Sequence, residues 1–217
     1  MAPTTSQDIL HEILSAINKN QEVVFVSYSI LDETEKHIQY TLNKILERHN
    51  KLDLYTPIYS SIKELIANAV KANAKYILIE EGEIKNPDDI TEVVTKVRNI
   101  LNEESLLIYG IKAKQYGLST RIYLKPQPTR LTIEVINNLP VTQKELERMR
   151  KRIERSSNYD SIADFYLENP DPAAEGMGLG LSMVVVLLKS VGIPYTNFTI
   201  YTDFKTKTIA RIIVPLI

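Results

Sequence analysis

Glu64, Asn68 and Lys71 stand at steps of four and three along one stretch, with Ile62, Leu65, Ile66, Ala69 and Val70 set between them. On a helix this spacing puts a carboxylate, an amide and an amine on one stripe and turns the apolar set to the other side. An amide oxygen holds a divalent cation, an amine meets a phosphate, and a carboxylate orients water. The same stripe is also how an ordinary solvated helix face reads. Far along the chain, Gly176-Met177-Gly178-Leu179-Gly180 gathers three of the seven glycines directly before the apolar run Leu181 to Val191. Alternate glycines let a backbone approach a ligand, and a helix starting there presents unpaired N–H groups to phosphate oxygens. The spacing does not fit a dinucleotide fingerprint, and no Gly-Lys-Ser or Gly-Lys-Thr of a Walker loop is present. A glycine-rich hinge is the competing reading.

Helices and strands must hold these groups in place. Ile9, Leu10, Ile13, Leu14 and Ile17 keep helical period and make 1–20 an amphipathic arm; Val23 to Ile30 reads as a strand. Asp32 with Glu35 opens a helix running to about His49. Apolar period from Ile58 predicts a second helix to about Asn73, and Lys75 to Glu80, KYILIE, then reads as a strand. Asn86-Pro87-Asp88-Asp89 starts a helix whose buried face is Ile90, Val93, Val94 and Val97. Leu106 to Gly117 is ambiguous. Thr120 to Lys125 and Arg130 to Ile136 pair as strands, and Thr142 with Glu145 caps a charged helix. Ser156 to Glu175 has few regular signals and reads as a mobile loop. Strands near Asn197 to Thr202 and Thr208 to Pro215 close the chain. No repeat or linker splits it.

The balance of 26 Lys and Arg against 27 Asp and Glu leaves a net charge of -1, too little field for a general polyanion binder. Absence of Cys excludes disulfides, thiolate metal sites and cysteine nucleophiles, and three scattered His make no metal site. The longest apolar run, Met183 to Leu188, is far short of a membrane span, and Met1 to Asp8 lack a basic and apolar leader. The expectation is a soluble, cytoplasmic protein with neither nucleic acid nor membrane as partner.

Together the two motifs resemble those of the histidine-kinase-like ATPase family, to which gyrase, MutL and the anti-sigma-factor serine kinases also belong. ELIANAVKA, residues 64–72, is similar to its N box, and GMGLGLSMVVV, residues 176–186, to its second glycine box. The resemblance covers roughly Tyr55 to the end. It implies an α+β fold, a two-layer α/β sandwich with a mixed sheet and helices on one face, over 21–217. An inserted helical segment falls at about 84–118 and a lid at about 142–178.

ATP and magnesium are the implied cofactors. Glu64 becomes the polarising or general-base carboxylate, Asn68 the magnesium ligand and Lys71 a phosphate contact. Gly176, Gly178 and Gly180 with Leu181 line the triphosphate and lid, and Phe165 is the candidate lid aromatic. Asn137 takes the place of the adenine-reading Asp in the family's Asp-x-Gly-x-Gly loop, with Leu139 and Val141 in place of its glycines. Asn137→Asp is accordingly expected to raise ATP affinity about five- to thirtyfold. The implied function is ATP binding in signalling of the two-component kind. If active, the chain is a histidine- or serine-kinase type that transfers phosphate to, or regulates, a separate protein partner, with a homodimer left open. The alternatives are a degenerate non-catalytic interaction module, or a phosphotransferase on a degenerate ATPase fold.

Overall fold

A computed structural model describes residues 6–29, 33–100, 102–168 and 180–217. Alternation builds the sheet. In β1 (Val23–Ser27) the odd positions turn inward and Val24 and Val26 outward. The same two-residue period runs through β2 (Thr120–Gln127), β3 (Arg130–Asn137), β4 (Phe198–Thr202) and β5 (Thr208–Pro215). The strands lie in the order β1-β2-β3-β5-β4, with Leu124 opposite Ile133 and Ile133 opposite Ile212. Every pairing is antiparallel, which corrects the expected mixed sheet. The short turns joining β2 to β3 and β4 to β5 oblige neighbours to reverse direction.

One face carries Ile122, Leu124, Leu131, Ile133, Ile212 and Val214, and the helices close over it in a single core. The architecture is thus α+β, an open five-stranded antiparallel sheet with a helical layer. α1 (Ser6–Asn18) brings Ile13 and Ile17 into that core, and Arg48 of α2 (Glu33–Arg48) ties down its end by donating to the Ile17 carbonyl at 2.6 Å. Among the described residues no helix is long and apolar enough to cross a membrane.

The central element is α3, Tyr55–Glu80, a helix of 26 residues. It absorbs KYILIE, which is therefore helix and not strand. The buried stripe Ala69, Val70, Asn73, Ala74, Ile77, Leu78 never leaves helical period. Tertiary packing then outweighs the β propensity of Ile77 and Ile79. Leu78 packs with Ile84, Val93 and Val97 of the α4 region (α4, Ile90–Asn99), and Ile77 with Ala113 of α5 (Glu103–Gln115) and Leu118. Gly82, at φ 72°, supplies the left-handed residue that stops the helix. The segment at 84–118 is accordingly an α4–α5 pair on the distal half of α3, and the ambiguous Leu106 to Gly117 is mostly helix.

α6 (Gln143–Ser156) begins with the capping box expected of Thr142 and Glu145. The stretch read as an irregular loop after it contains α7, Ile162–Glu168. Phe165 is 1% exposed and meets Tyr159 edge-on at 5.3 Å, a core anchor where a lid aromatic was expected. Lys189 of α8 (Gly180–Ser190) holds the connection by donating to the Ser157 and Tyr159 carbonyls at 2.6 and 2.9 Å. The remainder of the expected lid, 169–178, lies outside the described residues.

Candidate functional site

α3 and α8 pack closely, and the contact joins the two sequence motifs. Gly180, the first residue of α8, sits directly on the polar stripe of α3. A Cβ there would lie 2.0 Å from Glu64 Oε1 and 3.0 Å from Asn68 Nδ2, so only glycine fits with these side chains in place. The carboxylate of Glu64 accepts a hydrogen bond from Asn68 and feels the charge of Lys71. Burial is the larger influence and pushes the Glu64 carboxyl above its ordinary range. The start of α8 therefore meets a half-buried carboxylate, an amide and, one turn on, an amine.

Leu181 is partly buried against the main core, and so serves packing first. Gly176 and Gly178 lie outside the described residues. Asn137, at the end of β3, is 6% exposed and donates from Nδ2 to the Ala69 carbonyl of α3 at 3.2 Å. Its Oδ1 is buried and has no partner. This geometry adds a stability cost to Asn137→Asp, beside the expected gain in ATP affinity. A carboxylate would lose the donated bond and face the Ala69 carbonyl instead.

Sequence reading missed three further residues. Asn73 lies one turn beyond Ala69 on α3, Thr120 stands opposite Asn137 in the β2–β3 register, and Ser182 follows Gly180 on α8. All three are buried, and both polar atoms of Asn73, Thr120 Oγ1 and Ser182 Oγ are unpartnered. The one available signal was Asn73, an amide set inside an otherwise apolar helical stripe.

The loop after β3 is stapled shut by side chains. Ser119 N–H donates to Asn138 Oδ1 at 2.7 Å, Asn138 Nδ2 to the Gly117 carbonyl at 2.8 Å, and Thr208 Oγ1 to the Leu139 carbonyl at 2.8 Å. Leu139 packs against the Ile77–Ala113–Leu118 cluster and Val141 against the main core. The two residues standing where glycines were expected thus fill apolar space. Among the described residues no cluster of three or more His, Asp or Glu could hold a metal on its own. Two surface depressions lie elsewhere, one at Ser27, Glu35, Tyr59 and Lys63, the other along α6 and β4. In the first, burial and the Glu35 hydrogen bond push the Tyr59 hydroxyl up to about 12.

The chain is similar to an uncharacterized protein of Treponema pallidum (strain Nichols), 28% identical over 212 residues. The match covers 94% of this chain and 40% of that protein, so the chain spans less than half of the relative's length. No family model matches the chain. No solved structure matches it.

Proposed function

We propose that this chain is a nucleotide-binding domain of the histidine-kinase ATPase type, acting in signalling by phosphoryl transfer to a separate protein partner or by regulating one. The observation that carries the reading is Gly180 seated on Glu64 and Asn68: two motifs more than a hundred residues apart meet where a phosphate would need them. The start of α8 offers N–H groups and a positive dipole end to phosphate oxygens. Lys71 would supply the countercharge, Asn68 the magnesium ligand, and the unpartnered Asn137 Oδ1 an acceptor for an amino group of the base. Magnesium, when bound, would neutralise phosphate charge; Glu64, its carboxyl pushed above the ordinary range by burial, suits a water-orienting role.

A titration of the purified chain with ATP, with and without magnesium, tests this reading by calorimetry and thermal melting. Ligand at a hundred times its Kd should add about 2.7 kcal/mol of stability. No heat and no thermal shift at millimolar ATP, with a cooperative melt intact, would reject it. The packing of Leu139 and Val141 specifically favours the second reading, a non-catalytic interaction module, which that outcome would leave in place.

A further inference from the structure

Helix α5 turns Leu107, Ile108 and Ile111 outward with 52%, 49% and 65% of their surfaces exposed, while Ala113 on its other side is 1% exposed. Its inner side is pinned. A Cβ on Gly110 would lie 3.1 Å from the Ser29 Cβ, and Lys112 Nζ reaches Glu81 at 2.5 Å. The outward stripe is therefore fixed in place. Three large aliphatic side chains grouped on one exposed helical stripe form a patch, unlike the isolated apolar residues every surface carries.

The stripe ends in opposite charges. Glu104 lies one turn before Leu107 and Ile108, and Lys114 one turn after Ile111, both exposed and neither in a salt bridge among the described residues, Lys114 Nζ resting 5.9 Å over the Tyr28 ring. Such a pattern is complementary to itself when turned end for end. Across a two-fold axis at the middle of α5, Leu107 of one copy meets Ile111 of the other, and each Glu104 faces the other's Lys114. Antiparallel helices also set each dipole's positive end beside the other's negative end. A uniformly acidic or basic partner would satisfy one end of the stripe and be repelled at the other.

We infer that α5 is a homodimerisation helix, through which two copies of this chain pack antiparallel. The inference stands independently of nucleotide binding. Sedimentation velocity of the full chain at low salt, across micromolar concentrations, tests it. The expected result is a concentration-dependent dimer that Ile111→Glu weakens at least about tenfold by burying two unpaired carboxylates, one from each copy. At concentrations where both are monomers, melting of that variant should match wild type, because residue 111 is exposed in the single chain. Glu104→Lys and Lys114→Glu should each weaken the dimer about three- to tenfold, since every substitution appears twice per dimer, and the double swap should restore it. A wild type that stays monomeric throughout would overturn the inference. So would a dimer indifferent to Ile111→Glu, or a double swap no better than its single changes.

Discussion

The fold holds two buried polar regions and treats them in opposite ways. On the outer face of the sheet, Glu134 is 5% exposed and fully engaged. It accepts from Lys125 at 2.7 Å, from Arg211 Nε at 2.7 Å and from the Tyr201 hydroxyl at 3.3 Å. Around the junction of α3, α8 and the ends of β2 and β3, Asn73, Thr120, Asn137 and Ser182 keep buried atoms without partners. Each such atom carries an uncompensated cost of about 1–3 kcal/mol. A network built for stability closes its bonds. Open buried atoms of this kind are what a polar ligand would use, whereas the closed sheet-face network offers none.

The largest effect should come from breaking the closed region. Glu134→Ala should cost about 3 kcal/mol and lower the melting temperature by roughly 6–12 °C. Asn73→Leu in the open region should be neutral or stabilising, because it removes two unpaired groups at similar volume. Equal losses from the two changes would erase the contrast.

Asn137→Asp comes next. It exchanges a made hydrogen bond for a repulsion and should lose about 1–3 kcal/mol in urea denaturation, whatever it does to ATP. A stability equal to wild type would mean that the Ala69 bond contributes nothing.

Gly180→Ala separates stability from ligand binding. The new Cβ overlaps only the end of the flexible Glu64 side chain and the Asn68 amide, so stability should move by no more than about 1 kcal/mol. The displaced donors should lower ATP–magnesium affinity at least about tenfold by calorimetry. Unaltered affinity would detach these residues from the phosphate.

The smallest effect is in pH dependence, where the regions should have opposite signs. For Glu134, burial raises the carboxyl, but hydrogen bonds from Lys125 and Arg211 prevail and hold it below its ordinary 4.5. Its contribution is present above that value and is lost as pH falls through the depressed one. Glu64 is raised, so the folded state binds the extra proton. Its contribution is present below 4.5 and is lost as pH rises through the folded value. Glu64→Gln should therefore flatten the stability–pH curve just above 4.5 and leave the part below it alone. A change confined to the part below 4.5 would reverse the assignment.

What could be read from the chain followed local physics. The Thr142–Glu145 capping box, the β2–β3 hairpin and the apolar period of α8 each depend on residues close in sequence, and each stands where expected. KYILIE was misread because its partners, Val93, Val97 and Ala113, come from later segments that no local pattern connects to it. The meeting of Glu64 with the glycine motif was anticipated as far as Gly180. The unpartnered atoms of Thr120 and Ser182 were not, because hydrogen-bond satisfaction depends on the assembled fold. Leu139 was read as a lost glycine, whereas its side chain has a packing role of its own.

The unbroken course of α3 has a mechanical consequence. From Glu64 to Ile77 the helix rises about 20 Å without a kink-forming residue. Its near part meets α8, and its far part carries the platform of α4 and α5. A tilt of about five degrees pivoting at Glu64 would displace Ile77 by nearly 2 Å, by the leverage of that rise. The strut that holds Glu64 and Asn68 against Gly180 is also the beam on which the outermost helix rides, so a tilt imposed at one end would be delivered to the other as motion.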